Sequence, residues 1–144
     1  MTHLTVYEVA PRDGLQNEAA PIATAEKIAF VDRLSAAGFP VIEVSAFVSP
    51  AWVPQMSDAG EVCAGIQRRA GTRYAALVPN LKGLERAQAA GLTDVAVFAA
   101  ASETFSRRNI NQSIDDSLRL YGRVTTAAQA AGLRVRAYLS TAFG

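Results

Sequence analysis

Ser35-Ala36-Ala37-Gly38-Phe39-Pro40-Val41-Ile42-Glu43-Val44 is the stretch from which the fold is read. It closes a helix and enters a buried strand. The phrase returns as Ala89-Ala90-Gly91-Leu92 ahead of Val95-Ala96-Val97-Phe98, and as Ala130-Ala131-Gly132-Leu133 ahead of Val135-Arg136-Ala137-Tyr138-Leu139. Glycine supplies the left-handed backbone that ends a helix, the alanines let the helix lie close to a sheet, and β-branched residues fill the strand. Upstream of each phrase lies a helix start. Thr24 is placed to cap a helix with Ile28, Val31 and Leu34 on one face; Asn80 caps one carrying Leu81, Leu84 and Ala87; Ser113 with Asp116 starts one carrying Leu120, Val124 and Ala127. A further helix is predicted from Ser57 or Asp58 to about Arg68, ended by Gly71. Strands are predicted over Leu4 to Val9, Val41 to Ser45, Tyr74 to Val78, Val95 to Ala99 and Val135 to Leu139. Short buried runs alternating with helices imply an α/β fold of βαβ crossovers on a parallel sheet, with five strands and four helices.

Composition narrows the function classes. Half of the 144 residues are apolar and 19% are charged, enough hydrophobic material for one packed domain. A formal net charge of +1 leaves no broad basic footprint, so nucleic acid and anionic membranes are not expected partners. No apolar run has the length of a membrane span, and the amino terminus lacks the basic and apolar regions of a secretory signal. Cys63 is the single cysteine and His3 the single histidine, so neither a disulfide nor a clustered zinc site is expected, and a cytoplasmic setting fits.

In parallel α/β folds the ligand site gathers at the carboxyl ends of the strands, so the residues just beyond each strand decide the chemistry. After the first strand run Pro11-Arg12-Asp13-Gly14-Leu15-Gln16-Asn17-Glu18. At the second strand's end stand Glu43 and Ser45, after the third Pro79-Asn80, after the fourth Ser102-Glu103, and in or after the fifth Arg136, Tyr138, Ser140 and Thr141. Asp13 is a hard oxygen ligand suited to Mg²⁺ or Mn²⁺, Arg12 suits a carbonyl oxygen or an enolate, and Glu43 suits orienting Arg12 or moving a proton. Taken alone, an Arg-Asp pair in a loop also reads as a local ion pair or a capped turn. Glu43 is different, because a carboxylate inside an apolar strand needs a partner, and Arg12 is the natural one. His3, ahead of the first strand, is expected in solvent and not on a metal. Trp52 is expected as a hydrophobic anchor or pocket wall, and Cys63 as a small core or boundary residue. Arg107 and Arg108, ahead of Ser113, make either a phosphate site at a helix amino terminus or a solvated basic turn.

Five segments carry a family resemblance: VAPRDGLQNE (Val9 to Glu18), IEVSAFVSPAWVPQM (Ile42 to Met56), VPNLKGLERA (Val78 to Ala87), FAAASETFSRRNINQSI (Phe98 to Ile114) and VRAYLSTAFG (Val135 to Gly144). In this order, and over nearly the whole chain, they closely resemble the hydroxymethylglutaryl-CoA lyases. These belong to the wider group of metal-dependent TIM-barrel lyases and condensing enzymes that includes isopropylmalate synthase and hydroxy-oxovalerate aldolase. The resemblance implies cleavage of 3-hydroxy-3-methylglutaryl-CoA to acetoacetate and acetyl-CoA, a late step of leucine degradation. It also implies that Asp13 ligates a divalent cation that acidifies the substrate hydroxyl, that Arg12 stabilises the acetyl-CoA enolate, and that Glu43 holds Arg12. Gln16, Arg136, Tyr138 and Thr141 would shape the substrate pocket, with Asn109 near the CoA moiety.

Length sets the remaining expectations. A TIM (β/α)8 barrel takes about 250 residues, so residues 1–144 are expected to form one partial catalytic domain, the amino-terminal part of such a barrel, truncated after the fifth strand. In the family the remaining metal ligands, a His-x-His pair and an Asn, and a cysteine on a glycine-rich loop come from later strands. None of these stands here, so the metal site is expected to be incomplete and the isolated chain inactive. Open edges at the first and fifth strands and an apolar interior face are expected to favour self-association or pairing with a second half-barrel.

Overall fold

A computed structural model describes residues 4–143 of the chain. Its single sheet has five parallel strands in the order β1 (Tyr7–Glu8), β2 (Val41–Ala46), β3 (Arg73–Leu77), β4 (Asp94–Ala100) and β5 (Arg134–Ser140). Helices α1 (Thr24–Ala36), α2 (Ala59–Gly65), α3 (Leu81–Ala89), α4 (Glu103–Ile110) and α5 (Ile114–Ala130) connect them. Sequential order with every crossover through a helix is the build of a (β/α)8 barrel's amino-terminal part, and β1 and β5 are its edges.

The recurring glycine phrase ends helices as expected. Gly38, Gly91 and Gly132 have φ of +87°, +70° and +77°, and the residue after each returns its N–H to the helix: Phe39 to Leu34 O, Leu92 to Ala87 O and Leu133 to Ala128 O, at 3.5, 3.2 and 2.9 Å. These are the six-to-one bonds that close a helix against a strand. The caps at Asn80 and Ser113 also hold, each side-chain oxygen accepting an N–H three residues on, from Gly83 at 2.9 Å and Asp116 at 3.1 Å.

Several local expectations change. The first strand pairs only over Tyr7–Glu8, because the chain turns away at Val9 into a wide turn over Ala10–Gly14. Thr24 is the first residue of α1 and does not cap it; its hydroxyl donates instead to Asp58 Oδ2 at 2.8 Å. Helix α2 stops at Gly65, short of Arg68, whose guanidinium reaches across to the carbonyl oxygens of Ala90 and Gly91 at the end of α3. A fifth helix, α4, occupies a segment expected as a loop.

Between sheet and helices lies the core, with Ile42, Val44, Tyr74, Val78, Val95 and Val97 meeting Val31, Val62, Leu84 and Val124. Alternation along the strands turns the other set of side chains to the barrel interior. That interior face is not uniformly apolar as expected: beside Val41, Ala75, Leu77, Ala96 and Phe98 it carries Arg73, Asp94, Arg134, Arg136, Tyr7, Glu43 and Tyr138. A buried ion pair, Lys27 Nζ to Asp58 Oδ1 at 2.8 Å, ties α1 to the start of α2, and Lys27 also donates to Gln55 O. This pair holds the β2–α2 connection over the site.

Candidate active site

After β1, Glu8 Oε1 accepts the N–H of Ala10 at 2.7 Å, and Val9 O accepts from both Arg12 N and Asp13 N at 3.0 and 2.7 Å. With Pro11 setting the turn, Arg12 is driven inward and Asp13 outward. Asn17 Nδ2 braces the turn on Asp13 O at 2.7 Å. Across from it, the pairing of β2 with β3 slips between Glu43 and Ser45, a bulge of the kind that re-aims a side chain next to a site.

Arg12, 8% exposed, donates Nε to Glu43 Oε1 at 2.5 Å and Nη1 to Asp13 Oδ1 at 2.7 Å. The second oxygen of Glu43 accepts from the hydroxyl of Tyr138 at 2.6 Å. Glu43 is fully buried. An unpaired carboxylate there would be prohibitively costly, and two charge-assisted bonds on its two oxygens are what make the placement stable. Burial first, then the hydrogen bond to and charge of Glu43, push the Tyr138 phenol well above its ordinary value, so Tyr138 stays a donor. Tyr7 is raised by burial and by the charges of Glu43 and Asp94, and its buried hydroxyl has no partner among the described residues.

Arg12, Asp13, Gln16 and Asn109 line one open cavity of about 550 Å³ whose apolar walls include Leu77, Phe98, Phe105 and Trp52. Of the residues expected at the site, these four share the cavity, while Glu43 and Tyr138 join it only through Arg12, by the bonds from Arg12 to Glu43 and from Tyr138 to Glu43. Arg136 is set deeper, its guanidinium 4.1 Å from the centre of the Tyr7 ring. Thr141 sits just past β5 with φ +55°, its hydroxyl donating to Ser140 O at 2.7 Å. A β-branched residue in the left-handed region stores roughly 1–3 kcal/mol, a feature that clusters at functional sites. Trp52, 65% exposed, forms part of the cavity wall, and Cys63 is a core residue whose thiol burial pushes up to about 11. His3 lies outside the described residues.

Asp13 has a half-exposed side chain with one oxygen engaged by Arg12. Among the described residues no three His, Cys, Asp or Glu side chains come together to hold a metal ion.

Helix α4 carries Asn109 into the cavity wall. Its signals stood in the sequence: Ser102 caps it by accepting from Phe105 N at 3.3 Å, Glu103 occupies its first turn, Arg107 and Arg108 its last, and Asn111 closes it at φ +54°. This is the charge order that a helix dipole favours. Arg107 and Arg108 thus lie in the last turn of α4, still ahead of the Ser113 cap of α5, and Arg107 pairs with Glu103 at 2.9 Å. Tyr7, Lys27 and Asp58 are not legible in the sequence, because nothing local says that a single Tyr or Lys will be buried.

An HMGL-like family model matches residues 3–144. The chain is 60% identical over 139 residues to the 3-hydroxy-3-isohexenylglutaryl-CoA/hydroxymethylglutaryl-CoA lyase of Pseudomonas aeruginosa, covering 96% of this chain and 46% of that protein. The crystal structure of the Bacillus subtilis HMG-CoA lyase superposes with a TM-score of 0.96 at 51% identity, over 97% of this chain and 47% of that one. An HMG-CoA lyase from Acinetobacter baumannii, solved with coenzyme A and 3-methylmalate, gives a TM-score of 0.93 at 35% identity, over 100% of this chain and 48% of that one. The chain spans about half the length of the curated relatives it matches.

Proposed function

The chain belongs to the HMGL-like family, and from that premise we propose that it supplies the amino-terminal half-barrel of a carbon–carbon lyase cleaving 3-hydroxy-3-methylglutaryl-CoA to acetoacetate and acetyl-CoA. The observation that carries this reading is the buried carboxylate Glu43, held by Tyr138 on one oxygen and, on the other, gripping Arg12, which lines the open cavity. Cleavage begins when the substrate's tertiary hydroxyl loses its proton. The carbon–carbon bond then breaks toward the thioester, and the electron pair comes to rest on the thioester oxygen as an enolate before a proton returns to carbon. Arg12 suits that oxygen. Its Nε and Nη1 are held by Glu43 and Asp13, and Nη2 has no protein partner among the described residues. A donor fixed before charge develops costs no reorganisation. Gln16, Asn109, Arg136, Tyr138 and Thr141 are proposed to shape the acyl-CoA pocket, with Asn109 toward the CoA moiety.

Asp13 is proposed as one ligand of a divalent cation, Mg²⁺ or Mn²⁺. One carboxylate, with an oxygen already on Arg12, does not fit such an ion by itself, since Mg²⁺ demands near-octahedral coordination. The role assigned to Arg12 rests on this chain's own side chains alone.

The test is turnover of 3-hydroxy-3-methylglutaryl-CoA by this chain alone and by a fusion of it to the remaining half of the Pseudomonas aeruginosa relative. The fusion is expected to turn over with Mg²⁺, with kcat lowered roughly 100- to 1,000-fold by Arg12→Gln, and the chain alone is expected to be silent. Full activity of the Arg12→Gln fusion sinks the assignment. A second reading, favoured by the apolar wall of Leu77, Phe98 and Phe105, extends the substrates to acyl-CoA esters with a longer apolar branch at C3, such as the isohexenyl substrate for which the Pseudomonas aeruginosa relative is named.

A further inference from the structure

Two loops that wall the cavity are joined by a side chain that does not itself line it. The β1–α1 connection brings Gln16 and Asn17 to the wall, and the β2–α2 connection brings Ser49, Trp52 and Val53. Gln55, half-buried and outside the lining, ties one to the other. Its Nε2 donates to Ala20 O at 3.0 Å and to Glu18 O at 3.5 Å, and its Oε1 accepts from Ile22 N at 3.1 Å. A side-chain amide has both the donors and the acceptor that this set of backbone groups demands. Residues 17–21 are exposed throughout, so apolar burial does not hold them. Among the described residues, every hydrogen bond that residues 17–22 make outside their own connection goes to Gln55. Gln55 is itself fixed from below. Lys27, 6% exposed, uses its three ammonium donors on Gln55 O and on the two oxygens of Asp58 at 2.8 and 3.0 Å, and the Thr24 hydroxyl holds Asp58 Oδ2 at 2.8 Å. The next residue, Met56, is 1% exposed and takes the Ser45 hydroxyl on its sulfur at 3.5 Å.

We propose that Gln55 is a positioning residue for substrate binding: it clasps residues 18–22 to the β2–α2 connection and so fixes the Gln16–Asn17 wall against the Ser49–Val53 wall, the ligand being an acyl-CoA on the lyase reading above. Without the clasp, this part of the β1–α1 connection keeps only its own turn bonds, Asn17 N to Gly14 O and Glu18 N to Leu15 O, both 3.2 Å. An exposed segment held so lightly moves in solvent and has to be ordered each time a ligand is bound, and that ordering is subtracted from the affinity. Arg12 does not depend on Gln55. Its turn closes on Val9 O, and its guanidinium is held by Glu43 and Asp13. Loss of the clasp therefore weakens substrate binding and leaves the bond-breaking step to proceed at its usual rate.

Two measurements test the clasp. In the chain alone, amide hydrogen exchange compares the unaltered protein with Gln55→Met, which keeps the length of the side chain without its hydrogen bonds. The Ile22 amide is expected to exchange faster while the amides of β2, β3 and β4 keep their protection. In the fusion to the remaining half of the Pseudomonas aeruginosa relative, Gln55→Met is expected to raise KM for 3-hydroxy-3-methylglutaryl-CoA, and the calorimetric Kd for acetyl-CoA, by about 10-fold, with kcat within about twofold of the unaltered fusion. Gln55→Glu keeps the acceptor for Ile22 N but turns a carboxylate oxygen on Ala20 O, and is expected to bind no better than Gln55→Met. A side chain that served only to keep the protein folded would lower the amount of active enzyme, which reads as a fall in kcat with KM unchanged. That pattern overturns the proposal, as do an unaltered Ile22 exchange rate, an unchanged Kd for acetyl-CoA in both variants, or a fusion that binds no acetyl-CoA. A fusion that binds acetyl-CoA and turns nothing over defeats the lyase reading, and the acetyl-CoA Kd of the variants still decides the role of Gln55.

Discussion

Glu43 carries the most consequence per residue in this chain. Its side chain is inaccessible, and its two oxygens are held by Arg12 at 2.5 Å and Tyr138 at 2.6 Å. Glu43→Gln removes the charge that Arg12 is buried against and is expected to lower unfolding free energy by about 3–5 kcal/mol. Tyr138→Phe leaves one carboxylate oxygen without its donor and is expected to cost about 1–3 kcal/mol. Urea midpoints of the two variants check the order, and a Tyr138→Phe variant less stable than Glu43→Gln contradicts it. The phenols add a pH dependence with a definite sign. Tyr7 and Tyr138 are held above their ordinary value in the fold, whereas an unfolded tyrosine ionises near about 10. Their contribution is fully present below about pH 10 and is lost as pH rises above it, because the unfolded chain ionises first. Alkaline urea titrations should show stability falling above about pH 10, less steeply in Tyr138→Phe. Cys63, with its thiol pushed up to about 11 by burial, should react with a disulfide reagent near neutral pH only as fast as the fold opens, and at the rate of a free thiol in denaturant.

At the scale of elements, α3 shows where local preference and packing conflict. Alanine is favoured over glycine by about 1 kcal/mol inside a helix. At Gly83, however, an added Cβ would stand 2.8 Å from Pro79 Cδ and 2.9 Å from Phe47 O. A backbone oxygen cannot swing away, so Gly83→Ala is expected to destabilise by about 1–3 kcal/mol; a thermal midpoint at or above that of the unaltered chain would refute this. The same conflict explains which elements could be read. Helices α1, α3 and α5 end in the same glycine phrase, a signal that repeats because the same helix-to-strand turn repeats. Helix α4 lacks the phrase and closes on Asn111, and α2 ends at Gly65, before Arg68, which is used to tie down the end of α3. Caps and charges are local. What an arginine reaches across to is not.

For the whole molecule, five parallel strands leave two edges, and the inner face between them carries the candidate site at one end and the arginine cluster at the other. Adding the barrel's later strands should therefore raise stability as well as give turnover: the fusion to the remainder of the Pseudomonas aeruginosa relative is expected to unfold in one transition, at a higher temperature than this chain alone, by calorimetry. Two separate transitions would show halves that do not share a core. The sequence by itself determined the parallel α/β order, the three repeated helix closures and the cluster of Arg12, Asp13 and Glu43 at the strand ends, because backbone conformation, periodicity and the cost of a charge in an apolar strand are properties of neighbouring residues. Only the tertiary structure decided that Tyr138, 95 positions away, completes the hold on Glu43. It also decided that Lys27 is buried on Asp58, that Arg136 stacks on Tyr7 away from the cavity, and that charged side chains gather at the amino ends of the strands on the inner face. Those outcomes depend on which side chains the sheet's register brings within a few ångströms of one another, and register is set by all five strands packing together.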